Sequence, residues 1–264
     1  MNKPLSDEYS GFFAEFYDIL HSDTHDVLSL IQIAQKQSGD ILELGLGTGR
    51  IAIPLAEAGL SVTGIELSSD MIYIAEQKLS KENDQVRDRC KIIQADASNF
   101  SINNTFGFII ASCNFLNHFT TSCSIRSLFR CVKNHLSENG VFLIDQSMPN
   151  IPLMVEADKK EEIFEFNDLT NHRKIIDKFT ASYDFVNQLE HDDIVLEEYK
   201  EGSLTKKIQC KETLSYYFPR ELKILLELEG LTVFHEQGSL NKNIPLDQNA
   251  DQLVLFCKKK NSED

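Results

Sequence analysis

The sequence predicts an α/β fold: a doubly wound, mostly parallel seven-stranded sheet with an antiparallel β insertion. Three observations carry this reading. Short apolar strands alternate with helical periods over residues 40–145, and such alternation builds a parallel sheet covered by helices on both faces. A glycine-rich turn, Gly45-Leu46-Gly47-Thr48-Gly49, joins the first of these strands to the helix that follows it. From about residue 159 to 217 the helical period gives way to in–out alternation, the pattern of antiparallel strands.

In chain order, residues 1–8 read as a tail, and residues 9–20 carry Phe12, Phe13, Phe16, Tyr17 and Leu20 at helical spacing. Residues 26–37 give a second amphipathic helix, ended by Gly39. Strand 40–44, helix 48–58 with Gly59 as its stop, and strand 61–66 follow. Ser68 or Ser69 caps a helix that runs to Leu79. Strands at 90–94 and 106–112, a helix at 124–136, a turn at Glu138-Asn139-Gly140 and a strand at 141–145 complete the alternating part. The insertion holds about four strands, with turns near 168–171, 184–188 and 201–203. Pro219 opens a helix that Gly230 closes, and two strands, 231–237 and 251–258, lead to a polar tail.

Composition narrows the function. With 264 residues, one large domain or one domain with an insertion is expected. A net charge of -15 argues against nucleic acid, because phosphate binding needs basic surface. The acidity has two readings, a solvated surface or a preference for cationic substrates. The six cysteines form no CxxC pair and no metal-like spacing with histidine, which fits reduced structural thiols and no metal. The N-terminus does not read as a signal peptide and no apolar run approaches a membrane span, so a cytoplasmic protein with no membrane partner is expected.

The glycine loop suggests a ligand. A glycine turn between strand and helix lets a ligand approach the backbone closely at a helix N-terminus. Dinucleotide sites space their glycines as G-x-G-x-x-G. Here the third glycine, Gly49, comes one residue early, Arg50 stands where that fingerprint needs glycine, and Glu43 precedes Gly45 by two positions. E-x-G-x-G-x-G is the form of S-adenosylmethionine sites, although one such turn alone can be a tight connection without a ligand. Glu66 ends the second strand of the alternating series, where a carboxylate can accept ribose hydroxyls or simply face solvent. Asp96 follows the third strand of that series and Ser112 ends the fourth. All lie at the carboxyl ends of parallel strands, the edge where open α/β sheets bind ligands.

These segments together resemble the class I S-adenosylmethionine-dependent methyltransferases, which have a Rossmann-like fold. The resemblance covers Tyr17-Asp18, ILELGLGTGR, VTGIELSSDMI, QADAS, ENGVFLID and FPRELKILLELEGL, with Leu46 where many members have Cys or Ala. Tyr9, Tyr17-Asp18, His118 and the insertion also look like the sugar-amine N,N-dimethyltransferases and, more distantly, glycine N-methyltransferase. The resemblance implies S-adenosylmethionine as cofactor, a small-molecule acceptor and a possible homodimer through the insertion. It divides the chain into an N-terminal helical lid (1–38), a cofactor-binding core (39–150), the β insertion (151–217) and a return to the core sheet (218–264). By position, Tyr9 and Tyr17 would line the cofactor and substrate side, and Glu43, Gly45 and Gly47 would hold the methionine end. Glu66 would hold ribose, Leu67 and Met71 would lie near adenine, and Asp96 and Ala97 would meet the adenine edge. Gly49, Arg50 and Ser112 are expected at the cofactor with them.

Methyl transfer asks the protein mainly for alignment and a dry site. An amine acceptor needs only to be neutral and aimed, whereas a hydroxyl usually needs a base. His118 is the candidate base or else a partly buried histidine beside Phe115 and Phe119, and Tyr17 is the second catalytic candidate. Asp145 either orients an ammonium group or ends a strand. The aromatics of residues 9–17 form either a lid or core. N-methylation of an amino sugar, amino acid derivative or peptide α-amine is the first reading. O-methylation, a silent cofactor-binding protein and, against the glycine spacing, an NAD-dependent dehydrogenase are the alternatives.

Overall fold

The strand that leads into the glycine loop, β1 (Ile41–Leu44), is buried at every position, and so is β4 (Phe106–Ala111). Uninterrupted burial marks strands covered on both faces. The computed structural model describes residues 11–21, 24–168, 171–242 and 244–260. In it β1 and β4 are neighbours at the centre of a seven-stranded sheet. β2 (Val62–Glu66) and β3 (Cys90–Gln94) continue it on one side, and β5 (Leu136–Ser147), β11 (Gln252–Lys259) and β10 (Leu231–Gln237) on the other. β1 to β5 run parallel, while β11 is antiparallel to β5 and β10 to β11.

Two apolar cores flank the sheet. One packs Leu42, Leu44 and Ile109 against Phe129 and Leu226, carried by α6 (Ser122–His135) and α8 (Pro219–Leu228). The other packs Ile41, Phe108 and Ile110 against Leu30, Leu55, Ala75 and Val86. Those residues come from α2 (His25–Ala34), α3 (Ala52–Glu57), α4 (Ser69–Leu79) and α5 (Asp84–Arg89). Ser68 caps α4 by accepting from the Met71 N–H, as its sequence position suggests.

A second, four-stranded antiparallel sheet lies between β5 and α8 in the chain. Its order is β6 (Glu161–Asp168), β7 (Arg173–Asp184), β8 (Leu189–Lys200) and β9 (Ser203–Ser215). α1 (Phe12–Leu20) packs on it through Phe13, which meets Ile194 and Leu196. The Arg173 guanidinium sits 4.5 Å from the Phe16 ring centroid.

Four local differences from expectation have physical reasons. α3 begins only at Ala52 because Gly45, Gly47 and Gly49 hold left-handed φ values of 71°, 57° and 80°. Glu138-Asn139-Gly140 falls within β5, but pairing with β4 jumps there, from Phe106↔Leu136 to Phe108↔Val141, so the expected turn survives as an irregularity. α5 buries only Val86, and α7 (Ile151–Ala157) buries none of its residues, so neither carries an apolar stripe for a sequence pattern to find. Of the cysteines, Cys113 and Cys123 are exposed rather than structural.

Candidate active site

The carboxyl ends of β1 to β4 open onto one cavity, an empty volume of about 840 Å³ with its mouth included. That suits a ligand of nucleoside size. At the end of β1 the glycine loop turns back over β2, with the Gly45 and Leu46 N–H groups both donating to the Ile65 carbonyl at 2.9 Å. A Cβ at Gly45 would overlap the Phe115 ring, so this position needs glycine for space as well as for φ. A Cβ at Gly47 would reach within 4.0 Å of Tyr17 Cε1, in the gap between the loop and α1.

Glu66, at the end of β2, is the hub of the site. Its Oε2 accepts from Gly47 N–H and its Oε1 from Leu67 and Ser68 N–H, each at 2.8 Å. A carboxylate has about four acceptor sites, so these bonds fix its direction and leave room for a hydroxyl donor. Beyond β3, Asp96 is oriented in the same way: Oδ1 accepts from Ser98 N–H at 2.8 Å and Ser98 Oγ at 2.7 Å. Beyond β4, Ser112 Oγ donates to Asp145 Oδ2 at 2.8 Å. Cys113 and Asn114 then take consecutive left-handed φ values of 57° and 60°, conformations that cost free energy and collect at functional sites. Asn114 Oδ1 compensates by accepting from the Ser147 N–H at 2.6 Å. The strained turn delivers a short 3₁₀ helix, Phe115–His118, to the cavity wall.

α1 closes the other side. Tyr17 lines the cavity, and its neighbour Asp18 accepts from Thr48 Oγ1 at 2.6 Å and pairs with Lys78 at 2.5 Å. The Tyr-Asp pair thus docks α1 on the glycine loop and on α4. Of the other aromatics of α1 whose side chains are described, Phe13 and Phe16 are core.

Tyr17, Gly45, Gly47, Glu66, Leu67, Met71, Asp96, Ala97, Ser112 and His118 all line the cavity. Three expected residues do not. Glu43 is 3% exposed and lies behind the loop, where burial pushes its carboxyl up to about 8 against the pull of Arg50, and its Oε2 has no hydrogen-bond partner. Gly49 faces Ile53, whose Cδ1 would stand 2.9 Å from a Cβ there. Arg50 forms a two-pronged pair with Asp26, at 2.7 and 2.6 Å, and so ties α2 to the loop. Tyr9 lies outside the described residues. Asp145 is buried inside β5 rather than ending it, and burial raises its pKa.

The pattern missed Cys113, Phe115 and Phe119 as wall residues. The two phenylalanines were visible as neighbours of His118, but the strained turn that swings them inward has no sequence signature. At this end of the cavity His118 Nδ1 lies 3.4 Å from Oε1 of Glu212, on β9 of the second sheet. Burial pushes the imidazole down to about 4. The carboxylate opposes that shift, and the neutral ring is the form expected at neutral pH.

An open α/β sheet with its ligand cavity at the carboxyl edge, and acids at the ends of its second and third strands, defines a nucleoside-binding class. Residues 41–140 match the methyltransferase-domain family. YqeM of Bacillus subtilis (strain 168), named as a methyltransferase, is 33% identical over 140 residues, 52% of this chain and 54% of its own length. The match therefore spans about half of that relative. The methyltransferase CcbJ from Streptomyces caelestis has the same fold, with a TM-score of 0.78 at 18% identity over 96% of this chain and 98% of its own. The sugar N-methyltransferase KedS8 from Streptoalloteichus sp. ATCC 53650 gives 0.74 at 14% identity over 99% and 98%. The matched segment, residues 41–140, is thus similar to a methyltransferase domain, and the fold around it is that of known methyltransferases. No helix among the described residues is long and apolar enough to cross a membrane.

Proposed function

We propose that this chain methylates an amine nitrogen of a small molecule. The carrying observation is the charge of the cavity: Glu66 and Asp96 line it, and no lysine or arginine does among the described residues. A carboxylate acceptor would find no counter-charge there, whereas a neutral amine meets the neutral imidazole of His118, with Glu212 beside it. The fold is also that of KedS8, a sugar N-methyltransferase.

In this reading Glu66 holds the ribose hydroxyls, Asp96 the adenine edge, and the Gly45–Gly47 backbone the methionine end. Bound there, S-adenosylmethionine would supply an electrophilic sulfonium methyl group for the acceptor nitrogen lone pair, with a neutral thioether as the leaving group. Tyr17, Phe115 and Phe119 exclude water from that end of the cavity. His118, whose Nδ1 lies 3.4 Å from Oε1 of Glu212, is the side chain at this end that can take the proton shed by the product.

The neutral His118 also makes hydroxyl methylation the second reading, and one variant separates the two. His118→Ala should keep activity within about tenfold for an amine, which loses its proton readily, and lose about 100- to 10,000-fold for a hydroxyl that needs a base. Pairing through the second sheet is part of the same proposal. Ile163 and Phe164 of its edge strand are 56% and 45% exposed, and sedimentation should show a dimer that Phe164→Lys dissociates.

A further inference from the structure

The face of the four-stranded sheet that packs on α1 carries three carboxylates at one end. Ile194 and Leu196 of β8 pack on Phe13, so Glu190 and Asp192 share that face by strand alternation. The register places Asp192 directly opposite Glu212 of β9, and Glu190 opposite Tyr183 of β7. Side chains directly opposite lie about 5 Å apart, and like charges so placed are destabilising.

Asp192 is 4% exposed, yet its Oδ1 has no hydrogen-bond partner. Glu190 accepts from Tyr183 Oη at 3.0 Å. Burial, together with the neighbouring Glu190 and Glu212, pushes the Asp192 carboxyl up to about 8.

Other buried carboxylates of the sheet are matched to cations. Glu197 pairs with Lys178 at 2.9 Å and Lys207 at 2.8 Å, and Arg173 pairs with Asp168 at 2.7 Å and Glu198 at 3.1 Å. Neither Glu190 nor Asp192 has an ion pair among the described residues, and no group of described side chains there suits a metal ion. The cluster adjoins the cofactor cavity, because Glu212 touches His118, which lines it. It is approachable from both ends: Glu190 is half-buried and the His118 side chain is 21% exposed.

We infer that Asp192, with Glu190 and Glu212, binds a second, protonated nitrogen of the methyl acceptor, so that the acceptor is a dibasic amine. This rests on the amine reading of the site. The reacting nitrogen lies neutral at His118, and the other stays cationic against the cluster and supplies the charge the carboxylates lack.

The test is calorimetric titration of the protein, saturated with S-adenosylhomocysteine, with short α,ω-diaminoalkanes, spermidine and the n-alkylamines of matching length. A diamine or spermidine should bind at least about tenfold more tightly than its monoamine, the scale of one charged hydrogen bond. Asp192→Asn should erase that preference. Glu190→Gln, at a more exposed position, should reduce it, and S-adenosylhomocysteine binding reports that each variant is folded. Equal affinity for diamines and monoamines, no binding of any of these amines, or a preference unchanged in Asp192→Asn overturns the dibasic acceptor. Methyl incorporation from labelled cofactor is read in parallel. Diamine binding that depends on Asp192, with no methyl found in any amine, supports the cation site and overturns the amine reading alone. Monoamines methylated with the same kcat/KM as diamines keep the amine reading and overturn the dibasic one.

Discussion

At the carboxyl edge of the seven-stranded sheet Glu66 accepts three backbone N–H bonds, whereas on the inner face of the four-stranded sheet the Asp192 Oδ1 accepts none. Glu66 lines the cavity, and Asp192 adjoins it through Glu212, which meets His118. The first is held by the loops around it, so its direction is set before any ligand arrives, and it can act as a fixed acceptor for a neutral hydroxyl. The second sits among like charges with no donor, which leaves it suited to a cation brought by the ligand. On the proposed reading, one edge of the molecule is thus pre-organised for a constant cofactor, and the other is left incomplete for a particular acceptor.

Breaking the first side should have the largest effect. Glu66→Ala removes the anchor of Gly47, Leu67 and Ser68 together with the proposed ribose contact. A charged hydrogen bond contributes about 1.5–3 kcal/mol, so the Kd for S-adenosylhomocysteine should rise about 10- to 150-fold by calorimetry. An unchanged Kd would place the ribose elsewhere. Gly45→Ala comes next, because its backbone is left-handed and its Cβ would overlap Phe115. Strain of about 1–3 kcal/mol is expected, seen as a lower Tm and weaker cofactor binding. A variant with wild-type values for both would show that Phe115 moves aside freely.

The smallest effect sharpens the second side. The Asp192 carboxyl has its ordinary value in the unfolded chain and about 8 in the folded one. The folded state therefore holds the proton more tightly, and stability falls as pH rises from about 4 to about 8. Asp192→Asn removes that dependence, so its Tm should gain on the wild type as pH rises from about 4 to about 8 and hold that gain above it, a shift of at least a few degrees by scanning fluorimetry. A Tm difference that does not change with pH would show that the charge at Asp192 is already compensated.

The same contrast explains what was legible in the sequence. Strand–helix alternation, the glycine loop, Glu66 and Asp96 are local patterns, and each sits where its place at a strand end put it. Arg50 and Glu43 were assigned to the ligand because they belong to the loop's motif, but tertiary packing decided otherwise: Asp26, 24 residues away, takes Arg50, and burial takes Glu43. The cluster of Glu190, Asp192 and Glu212 was invisible because it exists only through the β8–β9 register. As sequence it reads as ordinary charge on two strands. The short helices α5 and α7 escaped for a simpler reason, since they carry almost no buried apolar face.

A crystal structure of the protein with S-adenosylhomocysteine is the most direct measurement of the central claim. The ribose hydroxyls should lie on Glu66, adenine beside Asp96 and Ala97, and the sulfur should face His118, with open space leading from it toward Glu212. A ligand that leaves Glu66 bonded only to Gly47, Leu67 and Ser68, or that turns its sulfur away from His118, would contradict both the site and the acceptor drawn from it.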